Sequence, residues 1–447
     1  MDQIASWVTE HESLLSGLAA MIAIAALVPT FLRPILRRRR QEREPSSRTS
    51  ARDESLGSKP RIAIFPIQTQ PDEPDLQLEA ERLTDEVTTL LARSSGCDVI
   101  SSWSAASFAG GGGRAAHAGQ ELGVRYVLEG GMRSSEAGRR VTASLVDTAE
   151  DRVVWSDVFE SSGEATDDVS RRLGERIAAH LGLEISLAEV ERAERRPRSR
   201  EARDLVLAAQ GILFSEGHHR HTYQRAVAIL EQATTKDPSS AEAFGLLALL
   251  YGLGEVFGFF EKTDAFREKL LGICRRALEI DDRSSEVLGY VGCAYCDVGH
   301  FEQGIPLLER AVSINPSNAQ AKAALGSGYA SIQRLEDAIA ILENALDISP
   351  AFKGIAAWAT LLARSYVGVD KLDEAAGTIE RALRCDPTFF PAHLTAALIA
   401  SRQGETATAR RHVNEAYRID PDLDPGTMAR IVGPDDSQMV LQLQAGS

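Results

Sequence analysis

Residues 316–350 read PSNAQAKAALGSGYASIQRLEDAIAILENALDISP, and the fold turns on this stretch. Two prolines 34 residues apart bracket two amphipathic runs, the first carrying Leu325, Gly326 and Tyr329, the second Ala338 and Ala345. A proline cannot continue a helix, because it lacks the N–H and its ring meets the carbonyl of the preceding turn. The same punctuation recurs outward in both directions, with helix stops at Pro238, Asp282, Pro316, Pro350, Pro387 and Pro421, spaced 44, 34, 34, 37 and 34. Five residues before each stop stands an alanine: Ala233, Ala277, Ala311, Ala345, Ala382 and Ala416. Twelve before it stand Ala226, Leu270, Gly304, Ala338, Ala375 and Ala409, nearly all small. Small residues at two fixed points of a helix let an antiparallel partner approach closely. The chain is therefore expected to repeat a helical hairpin, each unit burying its apolar face on the next.

This pattern resembles the tetratricopeptide repeat family, with six units over residues 201–421. First helices carry Leu247-Ala248…Tyr251, Val291-Gly292…Tyr295, Leu325-Gly326…Tyr329 and Leu362-Ala363…Tyr366. The first unit has a longer turn at Gly217-His-His-Arg-His221, and the second gains about ten residues that include Val256-Phe-Gly-Phe-Phe260. Ala400 takes the aromatic position of the last unit, and Asp436 to Gln444 is the candidate capping helix. The resemblance implies a right-handed superhelix whose inner groove, lined by first helices, binds a protein or peptide. Gly245, Leu249, Gly289 and Cys293 occupy the positions where one variant clamps a C-terminal carboxylate, so that clamp is not expected. Residues 201–447 hold 23 basic and 33 acidic residues, a balance of −10, which favours a basic or neutral partner. Candidate partner-contacting residues are Phe257, Phe259 and Phe260 of the insertion, with Cys293, Ser327 and Arg364 on first helices.

Upstream the pattern changes. Arg61-Ile-Ala-Ile-Phe-Pro-Ile67 is a short apolar run, as a buried strand would be. Leu76, Leu78, Ala80, Leu83, Val87, Leu90 and Leu91 fall mostly at helical spacing, and Cys97 to Ile100 gives a second strand. Ala115 to Leu122 reads as a short helix and Val124 to Gly130 as a third strand. Val141 to Val146 and Val153 to Phe159 alternate as meander strands, and Thr166 to Leu183 is a closing helix. Helix on sheet is the expected layering. Leu83-Thr-Asp-Glu-Val-Thr-Thr-Leu-Leu91, Glu121-Leu-Gly-Val-Arg-Tyr-Val-Leu-Glu-Gly130 and Val141-Thr-Ala-Ser-Leu-Val-Asp147, with Val154-Trp155 and Phe159, resemble the TolB-type amino-terminal domain over residues 60–185. That resemblance implies a bacterial signalling protein, in whose relatives such a domain joins a helical repeat array to an adenylate cyclase or winged-helix effector. It implies no catalytic residues.

The first residues differ again. Leu14 to Leu32 form nineteen residues without a charge, long enough at 1.5 Å per residue to cross a hydrocarbon core of about 30 Å. Asp2, Glu10 and Glu12 precede the run, and Arg33, Arg37, Arg38, Arg39, Arg40 and Arg43 follow it, unlike a cleaved signal peptide. A transmembrane helix is expected over 14–36, after a tail of 1–13 too short for an effector domain. The arginines place the body on the cytoplasmic side of a bacterial inner membrane, with a periplasmic body as the alternative. Arg37, Arg38, Arg39 and Arg40 would attract anionic lipid headgroups. Residues 37–59 read as a basic flexible linker, 186–200 as a second linker and 422–447 as a tail.

Composition limits the function. A chain of 447 residues, 44% hydrophobic and 25% charged, folds into several domains. Its formal charge of −15 opposes nucleic-acid binding. Cys293-Ala-Tyr-Cys296 has metal-ligand spacing but sits inside a repeat helix with no second pair, so packing is the expected role. His218-His219-Arg220-His221 reads as a solvated turn and Gly110 to Gly113 as a loop without the phosphate-binding Lys-Ser/Thr that would follow. No catalytic, cofactor or metal site is expected. The expected fold class is mainly α with one α/β module: an N-terminal transmembrane helix, a small α/β domain and a C-terminal α-solenoid. Two functions fit: a membrane-tethered interaction scaffold, and an effector-less regulatory subunit acting on a separate cyclase or transcription regulator.

Overall fold

A computed structural model describes residues 59–70, 73–94, 96–100, 105, 114–135, 138–162, 167–195, 201–349 and 352–445. Residues 56–447 belong to one compact unit. Its first part is a five-stranded sheet in the order β2-β1-β3-β4-β5, formed by β1 (Arg61–Ile64), β2 (Asp98–Ile100), β3 (Tyr126–Ser135), β4 (Gly138–Asp147) and β5 (Arg152–Ser162). β1 runs parallel to both neighbours, whereas β3, β4 and β5 form an antiparallel meander. The continuous apolar run of β1 follows from its central place. Ile62 and Ile64 face α1 (Pro74–Ala92) and α3 (Asp167–Arg195), while Ala63 and Phe65 face the side covered by α2 (Arg114–Leu122). Tyr126, Leu128, Leu83, Val87, Phe159 and Ile177 complete the larger core.

α3 runs to Arg195, through most of the stretch read as a linker. Ile185 and Val190 are buried along this extension, and the first proline beyond it is Pro197. The hydroxyl of Tyr126 donates to Glu189 on the same extension at 2.9 Å, fixing it to β3.

The remainder is helical. Six hairpins follow: α4 (Ala202–Glu216) with α5 (Arg220–Lys236), α6 (Ala241–Val256) with α7 (Asp264–Ile280), and α8 (Ser285–Asp297) with α9 (Phe301–Ile314). Then come α10 (Ala319–Ser331) with α11 (Leu335–Ile348), α12 (Ile355–Gly368) with α13 (Leu372–Cys385), and α14 (Phe390–Arg402) with α15 (Thr406–Ile419). All six alanines five residues before the stops are fully buried, as are Ala226, Leu270, Ala338, Ala375 and Ala409. The reason is clearest at α8 and α9, where a Cβ on Gly304 would stand 2.6 Å from the carbonyl oxygen of Gly292. Only hydrogen fits there. α16 (Pro425–Val432) and α17 (Pro434–Ala445) cap the last unit, with Val440 buried, so the cap is two helices rather than one short one.

The hairpins bring distant units together. The segment after α6 puts Phe257 5.7 Å from Phe389 and Phe259 6.3 Å from Phe390, ring centre to ring centre. Arg430 of α16 donates to the carbonyl oxygen of Val256, and Arg220 lies 3.7 Å from Asp420. The second unit thus leans on the sixth across the concave side. α3 covers another part of that side. Glu175 accepts from Lys322 of α10 at 3.1 Å, both buried, and Lys322 also donates to Asn344.

The membrane part of the expected fold is corrected. Among the described residues no helix is long and apolar enough to cross a membrane. The fold described is a sheet module joined to a helical solenoid, and neither the expected N-terminal transmembrane helix nor the inner-membrane assignment that rested on it has support among the described residues. Leu14 to Leu32 and the arginines at 37–40, with Gly110 to Gly113, lie outside the described residues.

Candidate functional site

Between α3 and the first helices lies a cavity of about 310 Å³, walled by Gly182, Ile185, Leu249, Leu253, Tyr290 and Trp358 among others. A second cavity of about 120 Å³ continues it toward the sixth unit and shares His218, Leu253, Gln320 and Trp358 with the first. Phe257, Cys293, Ser327 and Arg364 all line this smaller cavity. Four of the six residues singled out as partner-contacting are therefore brought to one place, but it is an interior one. Phe257 and Phe259 are buried instead of standing on an open surface, and Phe260 packs edge-on against Tyr251. The physical reason is the aromatic cluster with Tyr223, Phe389 and Phe390, which removes this apolar area from water.

The polar groups in the smaller cavity have unusual surroundings. Asp297 ends α8, and burial pushes its carboxyl up to about 7, with the thiol of Cys293 donating at 3.6 Å and Glu255 adding negative charge nearby. Burial raises the Cys293 thiol well above its usual range and Cys296 to about 12, so neither is a thiolate near neutral pH. Arg364, on α12, is pushed down to about 10 by burial, and Asp436 only partly offsets this. Among the described residues its guanidinium makes no hydrogen bond or ion pair. The side-chain oxygen of Gln320 is also buried without a partner among them.

The histidine turn departs from its expected exposure. His218 is pushed down to about 4 by burial, shares a 2.7 Å hydrogen bond with the Tyr223 hydroxyl, and lies against Phe257 and Phe389. His219 bonds to Thr388 of the sixth unit at 3.2 Å, and only His221 is well exposed. The turn is longer because it reaches across to that unit.

Asp297, Gln320, Trp358 and Lys322 were not singled out from sequence. An acid closing the apolar run Val291 to Cys296, and a lysine amid the alanines of α10, were the available signals.

A sequence profile described as Tetratricopeptide repeat matches residues 292–351 and 360–424. A curated protein of Rhizobium meliloti (strain 1021), named "Putative adenylate cyclase 3", is 25% identical over 240 residues, 54% of this chain and 40% of that protein. The matched region thus spans less than half of that relative. Among solved structures, the hetero-tetramer Cut9-Hcn1 of APC/C aligns over 62% of this chain and 49% of that one, at 15% identity and a TM-score of 0.41. PilW, a type IV pilus biogenesis factor, aligns over 54% of this chain and 98% of its own, at 19% identity and a TM-score of 0.37. YrrB, titled a TPR protein with an unusual peptide-binding site, aligns over 43% and 93%, at 18% identity and a TM-score of 0.29. Residues 292–351 and 360–424 are therefore tetratricopeptide repeats, and the same helical hairpins with buried alanines continue upstream to residue 202.

Proposed function

We propose that the chain is a protein-interaction scaffold, in which the crevice between α3 and the first helices takes a peptide segment of a partner. The observation that carries this reading is that crevice itself: about 310 Å³, lined by the apolar Leu246, Leu249 and Leu253 and by the polar Arg203, Glu242 and Asn318 among others. Apolar floors with few polar groups suit a short apolar anchor held in a fixed direction. The acidic balance of the repeat region favours a neutral or basic flank on the partner. The reading assigns no catalysis to the chain. Selection of displayed peptides against the full-length protein tests it. Enriched peptides should share an apolar anchor and lose binding to a Leu249→Arg variant that retains the wild-type melting temperature. Equal binding to that variant would defeat the reading.

A second reading has one observation in its favour, the 240-residue similarity to a protein named as an adenylate cyclase. On this view the α/β module is of the TolB type, and the chain regulates a separately encoded cyclase or transcription regulator. Adding the purified chain to such a cyclase should change its turnover; no change at saturating chain removes the cyclase form of this alternative.

A further inference from the structure

The smaller cavity is lined by a guanidinium, Arg364, that makes no ion pair among the described residues, its acidic neighbour Asp436 pairing with Arg402 instead. Arg364 offers five N–H donors, and none is used within the described residues. Arg364 is half-buried there, where low-dielectric walls replace water only in part. Elsewhere the fold does supply partners: Lys322 has Glu175 and Asn344, and Arg267 has Glu255 at 2.5 Å. Around Arg364 the cavity walls are apolar and aromatic at Leu253, Phe257, Trp358 and Phe389 and polar at Ser327 and Asp297, whose carboxyl burial pushes up to about 7.

We propose that this cavity is a binding site for a small organic monoanion, a carboxylate on a compact apolar body of about one ring, with Arg364 as the anion-binding residue. The size follows from the volume. An apolar cavity of roughly 150 Å³ admits benzene, and the 120 Å³ here opens into the larger cavity past Trp358 and Leu253. The charge follows from Arg364, whose planar fork matches a carboxylate in a two-bond geometry. The apolar body would lie between Trp358 and the Phe257–Phe389 pair. A peptide in the outer crevice and a monoanion in the inner cavity are separate events, so this inference stands or falls independently of the scaffold reading.

Benzoate is a suitable probe, with benzamide and benzylamine as neutral and cationic matches of the same size. Calorimetric titration of the full-length protein should show saturable benzoate binding at or below about 1 mM. Benzamide and benzylamine should bind at least about tenfold more weakly, the loss of one charge-assisted contact. Arg364→Met should weaken benzoate by at least about tenfold, and Arg364→Lys by less, since a point charge keeps attraction without the fork. Ser327→Phe, which fills the cavity and leaves the arginine, should also weaken it. The proposal is overturned if benzoate binds no better than benzylamine, or if Arg364→Met melts like wild type and binds benzoate undiminished. Should Arg364→Met not fold, unchanged benzoate affinity in both Arg364→Lys and Ser327→Phe overturns it equally.

Discussion

Lys322 and Arg364 are two cations on first helices of neighbouring repeat units, both turned toward the concave side, and the fold treats them differently. Lys322 meets Glu175 from α3 at 3.1 Å and Asn344 from α11, an arrangement that joins the sheet module to the solenoid. Arg364 meets a cavity. Arg171 adds a further hydrogen bond to Glu175 at 2.7 Å, so the first site is a small network. Burial alone therefore does not say what a charge is for. A closed network holds parts of the molecule in register, and an open one leaves binding capacity for something outside the chain.

The largest effect should come from breaking the closed network. Lys322→Met leaves the buried Glu175 with Arg171 as its remaining partner, and should cost up to about 3–5 kcal/mol in chemical denaturation. Pairing it with Glu175→Leu should recover much of that loss, because an apolar pair needs no counter-charge. If the single variant costs less than about 1 kcal/mol, the network is solvated and the contrast with Arg364 disappears. Phe257→Ala gives an apolar yardstick at the cavity wall, with an expected loss of about 3–4 kcal/mol from removed contacts and the void left behind.

Asp297 sharpens the comparison from the acidic side. Its carboxyl is raised by burial to about 7 from an ordinary value of 3.8, so the folded chain holds the proton longer than the unfolded chain. The contribution of the protonated form is fully present below about pH 4 and is lost as pH rises toward 7, after which the curve is level. Asp297→Asn keeps a neutral side chain at every pH. Its unfolding free energy should match wild type near pH 4 and exceed it near pH 8, by up to about 4 kcal/mol on the scale of 1.36 kcal/mol per pKa unit. A difference that does not grow between pH 4 and 7 would show Asp297 ionised in the fold. Arg364→Met should have the smallest effect without ligand, within about 1 kcal/mol, since no partner is abandoned.

The period of 34 made the hairpins legible, because every unit must bury the same face on its neighbour. Ala311, Ala345 and Ala382 lie where that reasoning puts them, without exposure. Strands were legible where apolar alternation is strong, as at Val141 to Val146. Contacts outside the period were not. Phe257 and Phe389 are separated by more than a hundred residues, and nothing local in either marks the other as its partner. The same holds for His218, which reads as a polar turn residue and is half-buried where the sixth unit returns to it. The length of α3 was underestimated because Gly182 to Ala188 mixes polar and apolar residues with weak helical segregation. Its support is instead tertiary, through Tyr126 and Glu189. The cavity had one sequence sign, Arg364 at a position held by Cys293 and Ser327 in earlier units, but vacancy around a side chain is a property of packing that no residue encodes alone.

The lean of the second unit on the sixth, through Phe257 and Phe389, has a mechanical corollary. An open stack of hairpins can fray from either end, each lost unit exposing only its neighbour. Tying an early hairpin to a late one makes a clasp, and peeling either terminus then requires the clasp to part first. Denaturation of this chain should accordingly show one sharp transition, and Phe257→Ala should broaden it into two as the stack regains the freedom to come apart piecemeal.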